Sequence, residues 1–229
     1  MDQLPPIIFL HGLVTTSKRT WADNGWLDLA QDAGRETLTI DLPGHGTEFN
    51  PSSSFNGNFL DFVHGRLPDE QVDAIGFSLG ASILLKLAAE NPSKFRKIVV
   101  AGVGDSLFSP DEARGIKITQ AISGNGNLKD PESRYFSQLA DHPDINGDLI
   151  AKCLRNVDLR LSPTYLRNLD APVLVVLGDK DFASPATTLL NSLPEGNLVT
   201  LKGVDHFATP KDFTFLESAL DFLDATPSW

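Results

Sequence analysis

The chain has little of several features that mark particular classes of protein. Its 229 residues include a single cysteine, Cys153, so an intramolecular disulfide cannot form and nothing requires an oxidising compartment. No apolar run approaches the ~20 residues that a membrane helix needs. The first residues carry no basic region, which argues against a secretory signal. We therefore expect a soluble, cytoplasmic protein without a membrane partner, in which Cys153 fills part of the core.

Positive charge is also scarce. The 19 Lys and Arg residues stand against 30 Asp and Glu residues, a net charge of −11, which argues against a nucleic-acid partner. The five histidines show no metal-ligand spacing, and no Gly-x-Gly-x-x-Gly follows the first apolar run. We expect no metal and no other cofactor. The expected partner is a small-molecule substrate, and the chain is expected to be a monomer, with a homodimer as the alternative.

Short apolar runs alternate with helical patterns along most of the chain. This alternation predicts an α/β fold with a mainly parallel sheet of about six strands and helices on both faces. The predicted strands are residues 7–10, 37–40, 72–77, 97–104, 172–177 and 197–201. The helices predicted around them are residues 21–33, 59–67, 79–91 and 210–223, and a polar surface loop is predicted over residues 50–58.

Strand signals are absent between residues 105 and 170. Four helical patterns, separated by glycine, proline and asparagine breaks, occupy this segment over residues 111–122, 131–140, 145–157 and 163–169. The segment is too long for a simple connection between a strand and a helix. We therefore predict a helical cap over residues 105–170, inserted into a core domain made of residues 1–104 and 171–229.

The pentapeptide Gly76-Phe77-Ser78-Leu79-Gly80 stands between a predicted strand and a predicted helix. Glycines two residues before and after the serine suit a sharp turn in which the two backbones approach closely. The serine hydroxyl would then stand at a helix N-terminus, where free N–H groups and the helix dipole stabilise an oxyanion. Because a motif this short can occur by chance, the alternative is that Ser78 is a glycine-flanked serine in an ordinary turn.

A nucleophilic serine needs a base, and the base needs a group that orients it. Asp181 and His206 lie in the loops after the last two predicted strands, on the sheet edge expected to carry Ser78. Asp179 remains an alternative acid, and Asp105 a weaker one, because loop aspartates commonly form turns or caps.

The chain resembles the α/β-hydrolase family over nearly its whole length, because it contains five of the family's sequence signals in the family's order. Besides Ser78 and His206, they are Leu-His-Gly at residues 10–12, Asp-Leu-Pro-Gly-His-Gly at 41–46 and Gly-Asp-Lys-Asp at 178–181. The resemblance implies an α/β-hydrolase fold, in which Ser78, Asp181 and His206 form the catalytic triad.

The same resemblance implies further roles. The backbone N–H groups of Leu13 and Leu79 would form the oxyanion hole. Apart from the resemblance, we expect His11 and His45 to be structural and to orient the loops around the hole through side-chain hydrogen bonds. The resemblance favours a serine hydrolase of the esterase type that cleaves a carboxylic ester or thioester through an acyl-enzyme. Apolar residues beside the site predict an apolar substrate pocket, although Phe77 is equally suited to the core; they are Val14, Phe77, Val103, Tyr135, Phe136, Phe182 and Phe207.

Related enzymes with the same residues leave other reactions open. These are carbon–carbon bond hydrolysis, perhydrolase or haloperoxidase-like chemistry, and a lyase reaction of the menaquinone-synthesis type. A non-catalytic small-molecule sensor on the same fold is an alternative of another class.

Overall fold

Six parallel strands form one sheet in the computed structural model of the protein, which describes residues 4–47, 55 and 57–227. The sheet order is β2-β1-β3-β4-β5-β6. The strands are β1 Ile7–Leu10, β2 Thr37–Ile40, β3 Val72–Phe77, β4 Phe95–Ala101, β5 Val173–Gly178 and β6 Gly196–Leu201. The predicted parallel sheet of about six strands is confirmed, and β3, the strand that precedes Ser78, lies near its centre.

Ten α-helices are assigned among the described residues. They are α1 Ser17–Thr20, α2 Trp26–Asp32, α3 Phe59–His64, α4 Leu79–Glu90, α5 Glu112–Ile122, α6 Pro131–Ala140, α7 Gly147–Arg155, α8 Pro163–Leu166, α9 Thr187–Ser192 and α10 Phe213–Phe222. Most of the loop predicted over residues 50–58 lies outside the described residues.

Two boundaries differ from the predicted ones where glycine takes a left-handed conformation. Gly25, at φ 78°, ends a short 3₁₀ turn and precedes α2, so the helix predicted from residue 21 begins only at Trp26. Gly102, at φ 67°, ends β4 three residues early. The short helices α1 and α9, of four and six residues, were not predicted.

Apolar side chains are buried on both faces of the sheet. On one face β1, β3, β4 and β5 pack against α3 and α4 and the helices that follow β4. On the other face an aromatic group centred on Trp21, Trp26 and Phe215 packs α2 and α10 against the sheet. Cys153 is fully buried in the first of these cores, as expected, and burial raises the pKa of its thiol to about 11.

Residues 105–170, which we call the helical segment, connect β4 to β5. Each of its four α-helices begins at a side chain that accepts a hydrogen bond from a backbone N–H of the first turn; these capping residues are Asp111, Asp130, Asn146 and Ser162. The segment is joined to the loops at the sheet edge by Arg19, whose Nη1 lies 2.9 Å from Asp144, and by a hydrogen bond from Asn146 N to Gly44 O. The division of the chain into a core and a cap stays a prediction.

The opposite end of the sheet is held by a buried ion-pair network. Asp73 on β3 is fully buried and accepts hydrogen bonds from Arg35 and Arg96. Both arginines also donate to the carbonyl oxygen of Leu223, which follows α10. The network therefore ties the end of the chain to the centre of the sheet.

Candidate active site

Ser78 occupies a strained turn between β3 and α4. Its backbone has φ 53° and ψ −111°, which a non-glycine residue rarely adopts. The turn needs both glycines of the motif. A Cβ on Gly76 would lie 2.7 Å from Ala81 N, and one on Gly80 would collide with the carbonyl oxygen of Leu10. The turn is held by Ser78 N, which donates to Ala101 O on the neighbouring strand at 2.8 Å.

The structure brings Ser78, His206 and Asp181 together. His206 Nε2 lies 2.9 Å from Ser78 Oγ, and His206 Nδ1 lies 2.9 and 3.0 Å from the two carboxylate oxygens of Asp181. Because an ionised carboxylate only accepts, Nδ1–H donates to Asp181 and Nε2 is left to accept from the serine hydroxyl. His206 and Asp181 are buried, and Ser78 is half-buried.

The other aspartates considered for this role have backbone partners of their own. Asp179 Oδ1 accepts from Gly203 N at 2.7 Å, and Asp105 Oδ1 accepts from Leu189 N at 2.9 Å. Neither forms a hydrogen bond with His206 in the described structure. The geometry therefore favours Asp181 as the partner of the imidazole.

The predicted oxyanion-hole residues flank Ser78. Leu79 is the first residue of α4, where the backbone N–H has no intrahelical acceptor. A Cβ on Gly12, the residue before Leu13, would lie only 3.4 Å from Ser78 Cβ, so this loop runs directly beside the serine.

Two buried histidines hold the loop that carries Leu13. Val14 N donates to His45 Nε2 and Leu42 N donates to His11 Nε2, both at 3.0 Å. The Nδ1 atoms lie against main-chain carbonyl oxygens, which fixes both rings as neutral imidazoles protonated at Nδ1. Burial lowers the pKa of both side chains, that of His45 well below its ordinary value. His11 and His45 thus hydrogen-bond to the loops beside Ser78, as the role expected of them requires.

Aromatic rings surround the imidazole of His206. The ring centroid of Phe182 lies 4.2 Å away, that of Phe77 4.9 Å and that of Phe207 5.5 Å. Gly102 lies against the same imidazole, because a Cβ there would come within 3.0 Å of His206 Cε1. Sequence reasoning missed Gly102, and the signal available for it was a glycine directly after a buried strand.

A cavity of about 1530 Å³ opens over Ser78 and His206. The seven side chains predicted to form the substrate pocket all line it, together with Leu13, Leu79 and residues of the helical segment. Four of the seven are buried, namely Val14, Phe77, Val103 and Phe136. The exposed ones, with 36 to 50% of their surface accessible, are Tyr135, Phe182 and Phe207.

Polar groups also line this cavity. Thr15, Thr20 and Asn24 contribute from the loop after β1 and the short helices behind it, and Lys211 contributes from the turn before α10. The cavity therefore combines an apolar wall with a polar one. Among the described residues, His, Cys, Asp and Glu side chains form no group of three or more that could hold a metal ion.

Comparison with known proteins identifies the family. The model of the alpha/beta hydrolase family matches residues 7–224, so the chain belongs to this family and the predicted α/β-hydrolase fold is confirmed. A pimeloyl-[acyl-carrier protein] methyl ester esterase of Nitrosomonas europaea is 24% identical over 94% of this chain and 95% of its own length. A 2-hydroxy-6-oxononadienedioate/2-hydroxy-6-oxononatrienedioate hydrolase of Pseudomonas putida is 23% identical over 95% of this chain and 87% of its own length. The family and these relatives support hydrolase activity.

Solved structures support the fold. MenH from S. aureus superposes with a TM-score of 0.75 at 20% identity, covering 97% of this chain and 94% of that protein. At this identity the similarity shows the fold alone. No helix in the part of the chain that the structure describes has the length and apolar character to cross a membrane.

Proposed function

We propose that the protein is a serine hydrolase that cleaves carboxylic ester or thioester bonds of a small apolar substrate. His206 would accept the proton of Ser78 as the serine oxygen attacks the acyl carbonyl, and Asp181 would stabilise the imidazolium that forms. The single observation that carries the proposal is the hydrogen-bonded series from Ser78 Oγ through the imidazole to Asp181, with heavy-atom distances of 2.9 to 3.0 Å.

The loops beside the serine support the rest of the reaction. The backbone N–H groups of Leu13 and Leu79 would donate to the oxyanion of the tetrahedral intermediate. His206 would then give its proton to the leaving alcohol or thiol, which leaves an acyl group on Ser78. Water, activated by the same imidazole, would release the acid and restore the serine.

The apolar wall of the cavity supports an apolar acyl or ring-bearing substrate. The Nitrosomonas europaea relative, named as a methyl ester esterase, supports ester cleavage as the reaction.

Hydrolysis of p-nitrophenyl esters of increasing acyl length tests this proposal. Wild-type protein should release p-nitrophenol, and Ser78→Ala should lose turnover by a factor of about 10³ or more with an unchanged melting temperature. Ser93→Ala, which alters an exposed serine, is the matched control and should retain full activity. Equal activity of Ser78→Ala and wild type on every ester would contradict the assigned nucleophile.

Carbon–carbon bond hydrolysis is a second candidate. It is favoured by the match to the Pseudomonas putida hydrolase, which spans 95% of this chain. A vinylogous diketone tested beside the esters distinguishes the two reactions, since a carbon–carbon hydrolase should cleave the diketone with the higher kcat/KM. A sensor without catalytic activity would instead show a ligand-dependent thermal shift and no turnover of either substrate.

A further inference from the structure

The ring of Phe182 contacts two cationic or potentially cationic groups. Its centroid lies 4.1 Å from the guanidinium carbon of Arg114 and 4.2 Å from the centroid of the His206 imidazole, which is tilted by 34°. Both groups contact the ring at distances typical of cation–π and aromatic contacts. Phe182 therefore links Arg114 to His206.

Arg114 is held in this position by its own helix and the next one. It lies in the first turn of α5, where its backbone N–H donates to the capping side chain of Asp111 at 2.9 Å. Its Nε donates to Glu132 Oε1 on α6 at 2.8 Å, and Lys117 Nζ lies 2.7 Å from the other oxygen of Glu132. The backbone of Arg114 is thus fixed at the start of α5, and its side chain is held at Nε by Glu132.

Phe182 needs such a restraint. Half of its surface is exposed, and the loop after β5 covers only part of the ring. The imidazole of His206 must keep Nε2 aimed at Ser78, and Gly102 and Phe77 contact it elsewhere. Phe182 has the shortest centroid distance to the imidazole of the three neighbouring phenylalanines, so its position bears most directly on that of the ring.

We propose that Arg114 is a positioning residue for the reaction. It holds the Phe182 ring against His206, so that docking of α5 over the sheet edge helps to keep the imidazole, which Asp181 also orients, aligned with Ser78. The inference rests on the proposed hydrolase function. It assigns to the helical segment an influence on the chemical step, in addition to the wall it contributes to the cavity.

A double-mutant cycle tests the proposal, using Arg114→Met, Phe182→Leu and the double variant. The readouts are the rate of labelling by a small fluorophosphonate, which needs an activated serine but little of the substrate pocket, and kcat and KM for a p-nitrophenyl ester. We expect Arg114→Met to lower the labelling rate and kcat about three- to ten-fold, with little change in KM. The double variant should be no slower than the slower single variant, because both remove one interaction.

Two further variants control for charge and structure. Lys117 lies on α5, like Arg114, and pairs with the same Glu132, but it has no aromatic contact among the described residues. The labelling rate and kcat of Lys117→Met should therefore stay within about two-fold of wild type. Arg114→Lys keeps a cation near Phe182 and should recover part of the lost rate. Proton NMR adds a direct readout, since the resonance of the imidazole Nδ1–H should broaden in Arg114→Met.

Several results would overturn the proposal. The positioning role is excluded if the effects of the two single variants multiply in the double variant. It is also excluded if Arg114→Met leaves the labelling rate and kcat unchanged. An increase in KM alone would make Arg114 a substrate contact instead. If Arg114→Met does not fold, Arg114→Gln serves in the same cycle. Wild-type protein that neither labels nor hydrolyses an ester refutes the proposed function, and the positioning role with it, whereas labelled wild type with independent effects refutes the positioning role alone.

Discussion

The two regions that meet at the cavity hold their side chains by different means. At the sheet edge, Ser78, His206 and Asp181 are placed by buried strands, by a backbone turn that needs glycine on both sides, and by hydrogen bonds of 2.9 to 3.0 Å. In the helical segment, Arg114 and Tyr135 extend from α5 and α6, each of which has both buried and exposed residues. Capping side chains and surface ion pairs hold these helices together.

This contrast separates two requirements of an enzyme. The proposed acyl transfer would need a fixed geometry, which a packed sheet edge can provide, whereas substrate binding would depend more on the side chains that line the cavity. We therefore expect substitutions at the sheet edge to act on kcat and on stability. Substitutions in the helical segment should act mainly on KM, with Arg114 as the exception.

The largest expected effect concerns the two aspartates of one loop. Asp181→Asn should lower kcat about 10³-fold or more, because an amide no longer stabilises the imidazolium and can fix the wrong tautomer of His206. Asp179→Asn alters only a carboxylate that binds Gly203 N and should stay within a few-fold of wild type. Steady-state hydrolysis of one ester by both variants is the measurement. Equal losses of kcat in the two variants would contradict the choice of Asp181 over Asp179 as the partner of His206.

A large loss of stability is expected at the other end of the sheet. Asp73→Asn removes the buried charge that Arg35 and Arg96 share, and breaking such a buried pair costs about 3 to 5 kcal/mol. Urea unfolding followed by circular dichroism measures this free energy. Asp158→Asn breaks an exposed pair with Arg160 and should cost less than about 1 kcal/mol. If both variants lose the same free energy, burial of Asp73 is not what matters.

Stability should also fall in mildly acidic solution. His11 and His45 are neutral when folded and have lowered pKa values, so the unfolded chain binds more protons below about pH 6.5. Their contribution is complete above that pH and is lost as the pH falls towards the lowered values, by at most about 1.4 kcal/mol per pH unit for each histidine. Urea unfolding at pH 7.5, 6.5 and 5.5 measures the slope. A free energy of unfolding that is constant over this range would contradict the neutral, buried assignment.

The smallest effect is expected at the exposed wall of the cavity. Tyr135 packs on Phe207 with ring centroids 4.6 Å apart, outside the hydrogen-bonded series at Ser78. Tyr135→Ala should raise KM for an apolar ester a few-fold, up to about ten-fold, and leave kcat nearly unchanged. Ile116→Ala, which shortens an exposed aliphatic side chain on α5, is measured beside Tyr135→Ala for comparison. A fall in kcat without a change in KM in Tyr135→Ala would place this residue with the sheet edge instead.

Much of the sheet edge could be predicted from the sequence, because its signals are local. Buried strands appear as continuous apolar runs, and the motif around Ser78 is contained in five residues. His206 and Asp181 each follow a strand, so the topology of a parallel sheet places both on the edge that carries the serine. The choice of Asp181 over Asp179 rested on the family resemblance, and the distances to His206 now favour it as well.

The contacts between regions could not be predicted. Nothing in the sequence shows that Gly102 lies against the imidazole of His206, or that Arg114 lies on Phe182, because such contacts depend on how separate elements pack. The break at Gly25 was also missed, since a glycine within an amphipathic pattern is compatible with a continuous helix. Order along the chain gives the edge on which a residue lies, and packing decides its neighbours.

Covalent labelling of the serine tests the central claim most directly. Wild-type protein treated with a fluorophosphonate should gain one adduct by intact-mass spectrometry, peptide mapping should place it on Ser78, and His206→Ala should label at least about 10³-fold more slowly while remaining folded. A folded wild-type protein that gains no adduct, or a His206→Ala variant that labels at the wild-type rate, would contradict the activation of Ser78 by His206.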